Sequence, residues 1–570
     1  MKRNRIGIVS VVCGVLCMAI TPVAFAQTTL YFDNNGPTSG IGGVGDWDTV
    51  STNWTTALAG NIATFAWTNV DHPAASRYRA YFSQSTAGTV FAPTPTAIAN
   101  VVGTQTAGSV WAQRGAHAVL TNGTLLLRSD VDSVGSGRIL IAGNADNQSN
   151  NILRVYSDIL IGNAAVTNGN AYPAILAGSA TLTHHGTVNN TIEIHGNISA
   201  HSDMDGIGTF GLFLIAQTGT NATVGTNKIV LGATSSITLP SDKGNWSVRF
   251  GWNGQVQDAQ TRGRYEVYST NNTQARTDFF GGTTVVYVDS YKAAPGGSST
   301  FGFTDRLNFG VQTLAGVDIA FLTGISGITI SDNMRAGVGT GNNRDFIVTL
   351  GGEHTSGTST YTGLIELADL PANSIRMVNL TAAQGGTVRF LGNLGNAQTP
   401  VTKIGLGTVE LAGTNNNYGG ATTVSDGTLL ISGKLTGNGA VNVNGGSLIV
   451  NGEIGTGAVT VALGGTLAGT GIVKGHTTVS GTLSPGNSPG DLSFEGNLTL
   501  NSGATSFFEV GGKFIGQYDR VLLNGFDDQA LAYGGTLELD IWSGAAVGDT
   551  FTLFSGFTSQ SGNFSSINLV

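Results

Sequence analysis

KIGLGTVELAGTNNNYGGATTVSDGTLLISGKLTGNGAVNVNGGSLIV (403–450) repeats one short phrase, and the repetition runs on to residue 500. Gly407-Thr408-Val409, Gly427-Thr428-Leu429, Gly446-Ser447-Leu448, Gly465-Thr466-Leu467, Gly481-Thr482-Leu483 and Gly496-Asn497-Leu498 each open a burst of strand-forming residues. The successive glycines are 20, 19, 19, 16 and 15 residues apart. A period near twenty, with strand composition and no helical phase, predicts a solenoid whose coils stack like a spring. The fold class is therefore all-β. Function is narrowed but open, because a stacked β-coil serves as adhesin, scaffold or polysaccharide-cleaving enzyme.

Working outward, residues 101–402 carry the same kind of strand in looser register, as in NTIEIHGNISA (190–200) and GTVRFLGN (386–393). Alternate residues there are aliphatic: Ile192, Ile194 and Ile198, or Val388, Phe390 and, past a turn, Leu394. Period two with one apolar face marks a half-buried strand. Coils with connections of variable length are expected. Residues 27–100 differ, holding Trp47, Trp54 and Trp67 with Phe65, Tyr78, Tyr81 and Phe82. A solenoid's open end needs covering, and this aromatic segment reads as its N-terminal cap. Regular coils fill 403–505, and 506–570 finishes or caps the stack.

Residues 1–26 read as a signal peptide. Lys2, Arg3 and Arg5 precede the apolar stretch Ile6 to Ile20, and Ala24-Phe25-Ala26 offers a small-residue cleavage site. An exported, extracellular or cell-surface location follows. Cys13 and Cys17 both lie in that leader, so the mature chain has no disulfide, thiolate metal site or cysteine nucleophile. Removing the three basic residues leaves 23 Lys plus Arg against 35 Asp plus Glu, a net charge of −12. Nucleic acid is thereby excluded as a partner. No later segment reaches eighteen apolar residues, so no helix should span a membrane after signal cleavage.

The segment 403–433 resembles the autotransporter passenger-associated β-strand repeat at Gly405, Gly407, Leu411, Gly413, Asn415, Tyr418, Gly420, Thr422, Val424, Gly427 and Leu429. GTLSPGNSPGDLSFEGNLTL (481–500) is similar to the turn that follows such repeats, and 517–564 to the ending of many of these exported proteins. The resemblance implies a right-handed parallel β-helix. In it, Gly405 and Gly407 would turn the corner, and Asn415 to Asn417 would bond their own backbone. Tyr418 would lay a flat ring over the coil edge, while Val424, Leu429 and Ile431 point inward. Autotransporters end in a membrane barrel, whereas this sequence stops at Val570, so the expectation is simple secretion or truncation short of an anchor.

Gly40-Ile-Gly42-Gly43-Val-Gly45 fits the dinucleotide pattern in letters, but Asp46-Trp47-Asp48 follows where a helix should begin, so it reads as a turn. The same stretch nearly matches a calcium nonapeptide, with tryptophan at the required aspartate. His184, His185, His195 and His201 with Asp203 and Asp205 are the densest group of possible ligands, yet match no closed zinc spacing. Asp527-Asp528 and the Asp203/Asp205 pair are the candidate acids for glycosidic cleavage. Gly486-Asn-Ser488-Pro-Gly490 reads as a stiff turn rather than a nucleophile loop. Trp246, Val248, Phe250 and Trp252 alternate and are expected in the core. No catalytic, cofactor-binding or metal residue is assigned, and no cofactor is expected. The leading expectation is a non-enzymatic secreted or cell-surface repeat protein, structural and adhesive, with surface glycans or extracellular matrix polysaccharide as the partner class. Its rival is a carbohydrate-active β-helix enzyme of polysaccharide lyase or glycoside hydrolase type.

Overall fold

The computed structural model describes Thr29 to Val570 apart from residues 35–41, 60–63, 65, 68–78, 84–94, 129–136, 144–149, 163–169, 172, 179–188, 205–206, 208, 218–226, 240–245, 252–262, 270–275, 280–282, 288–306, 310–317, 337–345, 368–375, 396–397, 526–527 and 543. The predicted leader lies outside the described residues. Among the described residues there is no α-helix, only a 3-10 turn at Ser202–Met204. No described helix is long and apolar enough to cross a membrane.

The chain winds as a parallel β-helix with three faces. From Val401 it runs along face one (Val401–Ile404), face two (Thr408–Leu411) and a bridge at Asn416 on face three, then returns to face one at Thr422–Val424. Among the described residues face one is a single ladder of 19 strands from Gly43–Trp47 to Ser559–Gly562, each inner strand paired in parallel with the strand a coil before and a coil after. The described residues of face two form a 5-stranded and an 11-stranded sheet, and those of face three a 14-stranded and a 6-stranded one. The two sheets of face three meet through the parallel bridge of Asn416 to Leu435 and the Asn417 amide, which donates to the Leu394 carbonyl at 3.0 Å. Parallel crossovers in one sheet take the right-handed sense.

Coil length explains the change of texture along the sequence. Val401 pairs Thr422, then Val441, Val459 and Thr477, so the regular coils take 21, 19, 18 and 18 residues. Ile152 pairs Thr191, and Thr191 pairs Lys228, giving 39 and 37 residues per coil. The face-one strands of these coils stay short, three to five residues, while the connections vary far more. One reading of the repeat needs correcting. Gly496-Asn497-Leu498 opens a face-one strand (Leu498–Leu500), whereas the other five phrases open face two, whose next member is Thr505. The shortened last interval therefore measures a step between faces.

The glycine in the phrase has a steric cause. Gly427 lies at φ 61°, and a Cβ there would meet the Gly405 carbonyl oxygen at 2.5 Å. Gly446 repeats the pattern against Gly427 one coil later, at 2.3 Å. Corners of successive coils stack backbone on backbone, and only glycine leaves the room. Within each strand the inward residues are aliphatic, so Val424, Leu429 and Ile431 join one continuous core with Leu448 and Val450. Each buried side chain contributes about 1.5–3 kcal/mol before entropy. Trp246, Val248 and Phe250 are in that core as expected, while Trp252 lies outside the described residues. Arg249 points the other way, its guanidinium 5.2 Å from the centre of the Phe213 ring.

Phe32, Trp47, Trp54, Trp67 and Phe82 pack ring against ring at the N-terminal end, all fully buried. Trp54–Thr55 pairs antiparallel with Thr29–Phe32 and ends the face-three ladder. Reversing the strand direction stops the stack from growing, and the rings close the core behind it. Phe65 and Tyr78 lie outside the described residues.

Polar side chains also stack inside. Asn151, Asn190 and Asn227 are buried in register, the Asn151 amide donating to Asn190 Oδ1 at 2.8 Å and the Asn190 amide to Asn227 Oδ1 at 3.1 Å. Asn416 is stitched to three coils. Its Oδ1 accepts from the Leu394 amide at 2.9 Å, and its Nδ2 donates to the Gly413 and Lys434 carbonyls at 3.0 and 2.9 Å. The asparagines at 415–417 thus bond mainly between coils, not within one turn. Tyr418 departs from expectation too. Its ring is buried in the core, with its hydroxyl 2.8 Å from Thr422 Oγ1, because the coil interior is wide enough there to take it.

Candidate functional site

Among the described residues the outer side of face one carries a strip of charged groups. Leu153, Val155, Ile192, Ile194, Ile229, Leu231, Tyr265 and Val267 point inward, so Arg154, Glu193, Lys228, Arg264 and Glu266 point out. Arg154 Nε donates to Glu193 Oε2 at 2.8 Å, and its Nη1 to His117 Nε2 at 3.0 Å. A guanidinium cannot accept, so His117 presents a bare nitrogen to it. Lys228 Nζ lies 3.2 Å from Glu266 Oε2, and Arg264 bridges Glu266 and Glu353 at 3.0 and 2.6 Å. Glu353 first, then Glu266, hold the Arg264 guanidinium above its ordinary range. Glu193 and Glu266 each accept from a cation on the preceding coil, Arg154 and Lys228, which locks register, while Arg264 reaches Glu353 across three coils.

At the edge of this strip, Tyr156 stacks on His195 with ring centres 4.4 Å apart and planes 8° from parallel. His195 Nε2 is 3.7 Å from Glu193 Oε2. His201 belongs to a different contact. Its Nδ1 is 2.9 Å from Asp203 Oδ1, and Asp203 is also held by Arg128. His184, His185 and Asp205 lie outside the described residues. Among the described residues no three His, Cys, Asp or Glu side chains are placed to hold a metal. Asp528 is exposed, and Asp527 lies outside the described residues. Gly43–Trp47 of the dinucleotide-like stretch is a face-one strand, so no helix N-terminus follows it.

Lys403 and Asp519 are among the buried ionisable groups that escaped the sequence reading. Lys403 is fully buried, and its ammonium donates to the carbonyls of Ile404, Gly405 and Asp426 at 3.0, 2.7 and 2.9 Å. Burial pushes it down to about 8, against a weaker upward pull from Asp426. The signal was present, because period two from Val401 makes 403 an inward position.

Asp519 explains the Gly486–Gly490 turn. It is buried, its Oδ1 accepting from the Gly490 amide and its Oδ2 from the Glu509 amide, both at 2.8 Å. Burial pushes the carboxyl up to about 6, with the Glu509 and Asp491 carboxylates adding to it and the two amides opposing. Between about pH 4 and 6 the native chain therefore binds a proton the unfolded chain has lost, and stability at this site falls as pH rises through that window. We expect the difference in urea midpoint between wild type and Asp519→Asn to shrink from pH 4.5 to pH 7. A pH-independent difference would refute that titration.

Comparison with known proteins bears on this geometry at one place. The profile of the passenger-associated-transport-repeat family matches residues 401–431, the coil that holds Lys403, Asn416 and Tyr418. No curated protein matches the chain. The repeat implies an exported protein, secreted or at the cell surface, and the chain is thus a parallel β-helix carrying an autotransporter passenger-associated-transport-repeat.

Proposed function

We propose that this is a non-enzymatic structural protein of the cell surface or its surroundings, with an adhesive role toward glycans. The observation that carries the reading is an unbroken outer column on face two, running in register from Thr358 through Thr387, Thr408, Thr428 and Ser447 to Thr536 and Ser566. A hydroxyl recurs at every coil, about 4.8 Å apart. Such a column is an extended, neutral hydrogen-bonding surface on a stiff rod, a form suited to lying along another polymer. The ion-paired carboxylates of face one favour the same reading, since catalysis of glycosidic cleavage needs two acids turned on one bond.

The test is incubation with a panel of neutral and acidic polysaccharides, followed by chain-length profile and reducing-end assay. Unchanged profiles are expected. A fall in chain length abolished by neutralising Glu193 or Glu266 would establish the enzymatic rival instead.

A further inference from the structure

We infer that Tyr156, backed by His195, is a stacking platform for one pyranose ring of a neutral glycan. This rests on the adhesive reading above and gives it a place. Tyr156 is 48% exposed although His195 covers one of its faces, so the exposure falls on its rim and on the part of the other face that reaches past the shorter Thr121 of the preceding coil. A surface phenol ring ordinarily samples several rotamers; here the imidazole fixes its plane from behind. The arrangement depends on the next coil. Val155, Ile194 and Leu231 are in register, which puts Tyr156, His195 and Gly232 in one column. A Cβ at Gly232 would sit 2.3 Å from His195 Nδ1. Glycine is what lets the imidazole lie parallel to the phenol.

On the open side, the register partner is Thr121, followed by exposed Asn122, since the Tyr156 amide donates to the Leu120 carbonyl. Asp158, also exposed, stands on the same corner and accepts from Asn197. An apolar ring face flanked by amide and carboxylate groups suits a sugar, which offers a C–H face and a rim of hydroxyls. Charge decides the class. The Arg154 guanidinium is engaged by Glu193 and His117, and among the described residues the corner side chains Thr121, Asn122, Asp158 and Asn197 are neutral or acidic, which disfavours a uronate or sialate. Tyr156 would touch the sugar, and His195 and Gly232 are positioning residues.

The experiment is affinity electrophoresis of the whole chain in gels containing soluble xylan, mannan or hydroxyethyl cellulose, with polygalacturonate as the acidic control. At least one neutral gel should retard the wild type. Tyr156→Ala should weaken that retardation about tenfold, Tyr156→Phe should keep it, and Gly232→Ala should weaken it through the displaced imidazole. Thermal midpoints report folding, and His195→Ala replaces Tyr156→Ala if the latter unfolds. Equal retardation of wild type and Tyr156→Ala would overturn the platform alone. Retardation by polygalacturonate only would overturn the neutral class. Wild type free in every gel would overturn the adhesive reading together with the platform.

Discussion

Asn416→Asp should destabilise the regular coils by about 3–5 kcal/mol, far more than any substitution on their outer faces. Asn416 is fully buried and uses its side chain in both senses, accepting from Leu394 and donating to Gly413 and Lys434. Aspartate keeps the shape and the accepting oxygen, but turns the donor into a second acceptor facing two carbonyls. A buried charge with no partner is then added to two lost hydrogen bonds. Asn416→Ala, which brings no charge, should lose roughly 2–3 kcal/mol. Urea unfolding followed by far-ultraviolet circular dichroism gives the order; equal midpoints for Asp and wild type would show that Asn416 is not the stitch between coils.

At the other end, Trp54→Ala should remove about 3–5 kcal/mol from the N-terminal cap. Its ring is fully buried and lies 4.6 Å from Trp67, 5.1 Å from Trp47 and 5.4 Å from Phe32. Because a solenoid loses structure from an uncapped end, the damage should stay near residues 29–120. Amide hydrogen exchange should rise there first, with the regular coils protected as in wild type. Uniform loss of protection along the chain would instead mean that the cap and the coils unfold as one unit.

Much of the fold was legible because two simple periods overlap. Alternation gave the inward residues, and the recurring glycine gave the coil length. What stayed hidden needed knowledge of which residues lie above one another. Gly496 looked like another opening phrase, since a repeat of glycine and aliphatics does not name its face. Tyr418 looked like an edge ring, because nothing local shows that the interior admits it. Asn151, Asn190 and Asn227 are 39 and 37 residues apart, so their ladder emerges only once register is known. The charged strip is similar: Arg264 and Glu353 are 89 residues apart in sequence and 2.6 Å apart in space. Lys403 was the one readable exception, a charged residue at an inward position.

Stacking in register is the claim on which the rest stands, and distances between spin labels test it directly. Cysteine pairs for labelling, Thr408→Cys with Ser447→Cys, with Thr482→Cys or with Thr536→Cys, sit two, four and six coils apart on face two. With a rise of about 4.8 Å per coil, separations of about 10, 19 and 29 Å should be measured, growing in proportion to coil number. Distances that rise and then shrink, or that follow sequence separation instead of coil count, would mean hairpins or facing sheets and would contradict a β-helix.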